Sequence, residues 1–217
     1  MIILTGESGS GKSSIEKYFV DNYGYKKIIS YTTRPPRNGE INNVDYHFIS
    51  VEQFNKLKDE NFFAETASYR DWHYGIAKKD CTDDKVAVLT PHGLRRVKKI
   101  EGINVLSFYI NVPRRDRLIK ILQRGDNIEE AYRRSLSDVG QFDGIEDEVD
   151  YIIDNEGYKK SLTEMAKEVK SHVDNTYSEY IYPCEHNWEF KGMLVDASGL
   201  KTQYRCSKCG EVSCCNF

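Results

Sequence analysis

The sequence predicts an α/β fold: a P-loop three-layer arrangement of parallel sheet and flanking helices, with an inserted β-rich lobe and a small C-terminal module. Three observations carry that reading. Gly6-Glu7-Ser8-Gly9-Ser10-Gly11-Lys12-Ser13 fits the phosphate-cradling pattern G-x-x-x-x-G-K-[ST]. Short apolar runs recur near 86–89, 105–110 and 151–153 with helical stretches between them, as a parallel sheet with crossover helices requires. Five of the six cysteines fall after residue 183, apart from the rest.

The phosphate loop sits in the required context. Met1 to Thr5 is a short apolar run that reads as a buried strand. After the loop, Ile15, Tyr18 and Phe19 fall at helical spacing, and Gly24 is placed to end the helix. Gly6, Gly9 and Gly11 let backbone N–H groups converge on one anion, with Ser8, Ser10 and Ser14 beside them. Lys12 reaches the β- and γ-phosphates of a nucleoside triphosphate, and Ser13 offers its hydroxyl to Mg²⁺. The helix start turns its positive end to the same phosphates.

The chain has 217 residues, 39% of them hydrophobic and 30% charged, which suits one good-sized domain plus an appendage. A net charge of −3 predicts no general attraction to nucleic acid or to an anionic membrane. No run approaches membrane-spanning length. The strand begins at the first residue, so no N-terminal signal is expected. The clustered cysteines suggest a reducing cytoplasm, with metal rather than disulfides.

Onward from the loop, Ile28-Ile29 reads as a second strand. Tyr31 to Glu40 is a stiff non-helical loop, because Pro35 and Pro36 hold Arg34 and Arg37 three residues apart. Two fixed guanidinium forks suit a phosphate dianion, although surface arginine is the commoner fate. Asn42-Asn43 reads as a turn, Val44–Ile49 as a strand, and Ser50 as the cap of a helix over 51–59 with Phe54 and Leu57 inward. Residues 62–65 and 69–76 read as further strands. The stretch from about 31 to 77 is therefore the inserted lobe.

These motifs together carry a family resemblance. The P-loop, then Ser30-x-Thr-Thr-Arg-x-Pro-Arg-x-Gly-Glu, then Asp45-Tyr46-x-Phe48, Phe63-x-Glu65 and Tyr74-Gly75 resemble guanylate kinase over residues 1–175. The resemblance implies a kinase moving the ATP γ-phosphoryl group to GMP or dGMP with Mg²⁺. It implies a lobe that closes over the acceptor, with Arg34, Arg37, Tyr46 and Tyr74 on the acceptor phosphate and Ser30 and Glu65 on the guanine edge. Both tyrosines could equally pack the small core of the lobe. Two departures stand out. Ile76 follows the Tyr-Gly pair where the family has Ser or Thr. Val86 to Gly93 lacks the Asp-x-Asp-like acids that the family uses to position magnesium and the acceptor, and Thr90 or a water is left in their place. Another nucleoside monophosphate, or a binding domain without activity, remains open on those grounds. Asn43 replaces a usual glycine, a position asparagine tolerates.

After Gly93 a helix is expected over 94–100, with Arg95, Arg96, Lys98 and Lys99 as a solvated basic face. Val105–Ile110 reads as a strand. Pro113 opens a helix with Leu118, Ile119 and Leu122 inward. Residues 113–134 carry seven basic residues against four acids. In the family this region holds the mobile lid, here about 124–142, and Arg124 and Arg134 match its phosphate-clamping arginines. The acidic run Asp138–Asp150 reads as solvated. Asn155, the last residue of the strand expected over 151–155, matches a position that lies near the donor base in the family. A last amphipathic helix carries Leu162, Met165, Ala166, Val169 and Val173.

Cys184-x-His186 and Cys206-Ser-Lys-Cys209 resemble the ligand pairs of a zinc ribbon over 184–217. A structural Zn²⁺ would supply folding energy to a module too small to fold alone. Cys214 and Cys215 lie outside the pattern, and either can replace a ligand. The module carries four basic and four acidic residues, which makes a protein partner or self-association a better guess than nucleic acid.

Overall fold

The computed structural model describes residues 1–37, 39–69, 71–123, 125, 128–181, 188–196, 199–206 and 212–216. The chain divides into two compact units, Met1–Lys170 and Ser171–Phe217. No helix among the described residues is long and apolar enough to cross a membrane.

The first unit is built on β1 (Ile2–Thr5), which is buried throughout. The phosphate loop leads into α1 (Lys12–Tyr23), ended by Gly24 at φ 73°. Next come β2 (Lys26–Lys27), β3 (Tyr31–Thr32), β4 (His47–Phe48), α2 (Val51–Asp59), β5 (Phe63–Tyr69) and β6 (Trp72–Ala77). β7 (Lys85–Val88), α3 (Pro91–Val97), β8 (Leu106–Asn111), α4 (Arg114–Gln123), α5 (Ile128–Ser137), β9 (Tyr151–Asp154) and α6 (Leu162–Ile181) complete the order up to the second unit.

Five strands form a parallel sheet in the order β2-β7-β1-β8-β9. β1 is central, with Ile2 level with Val86 on one side and Leu106 on the other. Such a strand has no wet face, so Ile2, Ile3 and Leu4 are fully buried, with Ile15 and Phe19 of α1 also enclosed. The open crevice of a sheet like this lies beyond the carboxyl ends of its strands, which is where β1 delivers the phosphate loop.

Between β2 and β7 the chain makes a second sheet, β4-β3-β6-β5. Its core is aromatic: Phe63 stacks on Phe54 at 4.7 Å and meets Tyr31 and Phe62 edge-on. α2 starts in a capping box, Ser50 Oγ accepting from Gln53 N at 3.1 Å while Gln53 Oε1 accepts from Ser50 N at 3.0 Å. Asn43 takes φ 65°, the left-handed conformation expected of it.

Five expectations need correction. The strands expected over 62–65 and 69–76 are Phe63–Tyr69 and Trp72–Ala77, because Tyr69 stays in the ladder as the partner of Trp72 and so ends β5 instead of opening β6. The second strand is Lys26–Lys27, not Ile28-Ile29: β2 is an edge strand with exposed side chains, and Ile28 leaves the ladder to enter the core. The strand expected over 44–49 is confined to His47–Phe48, because Asn43, Val44 and Asp45 close a hydrogen-bonded turn. α3 begins at Pro91 rather than after Gly93, since Thr90 caps it and Pro91 fits its first turn. On α4 the buried residues are Arg117 and Ile121, whereas Ile119 and Leu122 are exposed.

The second unit contains β10 (Trp188–Asp196), β11 (Gly199–Cys206) and β12 (Val212–Asn216) as an antiparallel meander. Cys184, His186 and Cys209 lie outside the described residues, as does the side chain of Cys206.

Candidate active site

The phosphate loop depends on glycine where the backbone is tightest. A Cβ on Gly6 (φ 146°) would come 2.7 Å from the Ile110 carbonyl oxygen, and one on Gly9 (φ 88°) would press on Ile121 and the Arg117 carbonyl oxygen. Lys12 folds over the loop, its Nζ donating to the Glu7 carbonyl at 2.8 Å and to Ser10 Oγ at 3.4 Å. Burial lowers its pKa to about 8, against the pull of Asp138 and Glu7.

The loop is held from outside by residues whose role the sequence did not reveal. Arg117 donates from Nη2 to Glu7 Oε1 at 3.2 Å, from Nη1 to the Ser8 carbonyl at 3.3 Å and from Nε to the Val112 carbonyl at 2.8 Å. Tyr109 Oη donates to Glu7 Oε2 at 3.1 Å, and burial raises the phenol pKa, with Glu7 adding to it. Ser8 N donates to Asp138 Oδ2 at 2.8 Å, and Tyr158 Oη donates to the Gly9 carbonyl at 2.7 Å. The acidic run is therefore not solvated at its start. Toward its end the run stays at the surface, as expected, but is held: Glu148 takes two hydrogen bonds from Arg95, and Asp150 takes two from Ser107.

Two clefts meet at this loop. One, of about 250 Å³, is lined by Ser8, Gly9, Gly11, Lys12, Ser13, Ser14 and Arg134. It brings the expected clamp residue Arg134 of α5 to the phosphate loop. The other, of about 260 Å³, runs between α1 and the inserted lobe and is lined by residues including Ser13, Glu16, Ser30, Asp45, Tyr46, Ile76 and Val88. Ser13 borders both.

The lobe side is organised around Arg34, which is 5% exposed. Its Nη2 donates to both Glu40 oxygens at 2.7 and 2.9 Å, and its guanidinium lies 5.3 Å over the Tyr46 ring. A hydrogen bond also joins it to Tyr74. Arg37 is exposed on the same loop, its N–H donating to Glu40 Oε2.

A sequence model of the family described as guanylate kinase matches residues 1–172. The chain belongs to the guanylate kinase family. It is 30% identical over 190 residues to the guanylate kinase of Francisella tularensis subsp. holarctica (strain OSU18), across 81% of this chain and 98% of that one. It is 31% identical over 205 residues to the guanylate kinase of Shewanella violacea, across 90% and 97%. Among solved structures, the guanylate kinase of Anaplasma phagocytophilum shares the fold with a TM-score of 0.57 at 21% identity, over 85% of this chain and 96% of that one.

The remaining residues that guanylate kinase resemblance singled out are placed as follows. Glu65 is 7% exposed, its Oε2 has no hydrogen-bond partner, and burial raises its pKa against a weaker opposing effect of Arg96. Gly93 leaves the carboxylate room, since a Cβ there would stand 3.2 Å from it. Ile76 pairs with Glu65 across the β5–β6 ladder. Thr90 uses its hydroxyl to cap α3. Asn155 is buried, with its amide engaged by the Lys160 backbone and Met165 Sδ. Arg124 lies outside the described residues. No cluster of three His, Cys, Asp or Glu side chains that could hold a metal stands among the described residues.

Two outcomes follow from this geometry. Arg117→Met strands the Glu7 carboxylate and should lower stability by about 3 kcal/mol, whereas Glu7→Gln/Arg117→Met removes both charges and should recover most of it; urea denaturation of the two variants checks this. A polyphosphate favours the charged form of Lys12. Its affinity should therefore hold steady below pH 7 and fall about tenfold by pH 9 as a lysine titrating near 8 loses its proton. Titration with a fluorescent ATP analogue across that range reads the effect, and Lys12→Arg should flatten it.

Proposed function

We propose that the protein transfers the γ-phosphoryl group of ATP to GMP or dGMP, giving ADP and the nucleoside diphosphate. The observation that carries this is the meeting of two clefts at Ser13, one lined by the phosphate loop and one by the lobe. An in-line transfer needs donor and acceptor on either side of one point. The acceptor phosphate is already an anionic nucleophile, so no general base is required.

In this reading Lys12 and the loop N–H groups from Gly6 to Ser14 hold the donor phosphates. Ser13, which borders both clefts, would hold Mg²⁺ through its hydroxyl, and the ion would neutralise charge on the transferring group. Arg34, Arg37, Tyr46 and Tyr74 bind the acceptor phosphate, and Glu40 keeps the Arg34 fork in place. Arg124 and Arg134, on a lid of about 124–142, clamp the phosphoryl group in flight. Ser30 and Glu65 read guanine: a carboxylate oxygen without a partner suits the N1–H and N2–H₂ donors that adenine lacks. Thr90 would take the place of the missing acids on the acceptor, and Asn155 would stand near the donor base. The kinase domain runs over 1–175 with the acceptor lobe at 31–77.

Residues 184–217 form the second module, with a structural Zn²⁺ on Cys184, His186, Cys206 and Cys209. In support, β10 starts two residues after His186, and its first residue, Trp188, pairs with Cys206. The module's balanced charge favours a protein partner, and the cysteine usage favours a reducing cytoplasm.

The deciding assay is phosphoryl transfer from ATP with Mg²⁺ to a panel of ribo- and deoxynucleoside monophosphates. Turnover of GMP or dGMP is expected, with kcat/KM lowered at least a hundredfold in Glu65→Ala. Turnover of a different base overturns the guanine assignment, and no turnover with any acceptor favours a binding domain. Metal analysis of the purified chain should find one zinc per molecule, lost in Cys206→Ser/Cys209→Ser while the kinase activity stays.

A further inference from the structure

The strand that would carry the family's acids is apolar here, with Val88 at its end. A carboxylate nevertheless stands at that place, delivered from another element. Glu16 lies three residues after Ser13 on α1, so the two share a helix face. Both border the cleft between α1 and the lobe, and so does Val88. Glu16 is 8% exposed, and the Val88 backbone favours its charged form against the effect of burial. Its side chain therefore borders the cleft beside the carboxyl end of β7, one helical turn from Ser13.

The simplest structural account makes Glu16 the buried partner of a lysine. Lys27 borders the same cleft and is the cation that acts on it, but its side chain is exposed, and no ion pair joins the two among the described residues. Asp45, the other acid bordering the cleft, is exposed and accepts from the Ile41 N–H at 2.7 Å. A buried carboxylate without a contacting cation destabilises the fold, and an apolar residue would pack that position better. Mg²⁺ in nucleotide sites commonly uses one or two protein oxygens and takes the rest from phosphates and water. One hydroxyl and one carboxylate on the same helix face meet that need.

We propose that Glu16 holds the Mg²⁺ of the bound nucleotide together with Ser13, so that helix α1 supplies the acid that strand β7 lacks. This rests on the kinase reading above and adds the origin of its missing carboxylate. Mn²⁺ serves as the probe, with free ion followed by electron paramagnetic resonance in the full chain saturated with a non-hydrolysable ATP analogue. Glu16→Gln should weaken Mn²⁺ retention about tenfold, while the analogue's affinity in the presence of a chelator changes less than twofold. Glu16→Gln/Val88→Asp, which returns a carboxylate to the strand, should recover the ion. The glutamine variant removes a buried charge and should melt no lower than the native chain, which separates lost binding from lost folding. Unchanged Mn²⁺ retention in Glu16→Gln, with transfer to GMP intact in the native chain, overturns the assignment and leaves the kinase standing. The Mn²⁺ effect without transfer in the native chain supports Glu16 and overturns the kinase reading instead.

Discussion

A phosphate loop is a stretch of backbone whose N–H groups point at a ligand instead of into a helix or sheet. It cannot hold its own shape through its own ladder, so its neighbours must hold it. Here the Arg117 guanidinium does most of that: one side chain reaches the Glu7 carboxylate, the Ser8 carbonyl and the Val112 carbonyl. Tyr109 from β8 closes the other side of Glu7, and Tyr158 fixes the Gly9 carbonyl. The buried side of α4 is consequently part cationic, and the amphipathic pattern of that helix is displaced by one residue from where apolar residues alone would put it.

The same arrangement explains what could be read from the chain. The phosphate loop, the Gly24 cap, the Ser50 cap and the left-handed Asn43 are local. Each is settled by residues within a few positions of one another, so sequence spacing finds them. The inserted lobe and the family were legible because their motifs recur in order. Arg117 was not, because its meaning comes from Glu7, 110 positions away. Asp138 lies 130 positions from Ser8, and Glu148 lies 53 from Arg95. An acidic run looks solvated until the cations and N–H groups that meet it are known. β2 failed for a related reason: an edge strand needs no apolar residues to stay in a sheet.

The site also departs from ordinary burial in a patterned way. Lys12, Arg34, Glu16 and Glu65 are all charged or chargeable groups removed from water. Arg34 alone has a bidentate partner of opposite charge. Burial pushes Lys12 down and both glutamates up, which is the direction that disfavours charge in each case. Such groups are poor contributors to stability and good contributors to recognition, because the interaction that offsets their burial comes from the ligand.

Under the proposed function, that division gives each part of the two nucleotides a buried group of its own to meet. Lys12 favours an anion at the phosphate loop, Glu16 a cation at the junction, and Glu65 a hydrogen-bond donor beyond it. A ligand that supplies only one of them leaves the others uncompensated in a low-dielectric setting, where each is costly. In that reading each ligand offsets one of these burial costs, and the metal, the polyphosphate and the acceptor base together offset all three. For a reaction whose catalysis rests on position and charge, this also guards the donor: the γ-phosphoryl group meets its full complement of charges only when the acceptor is in place.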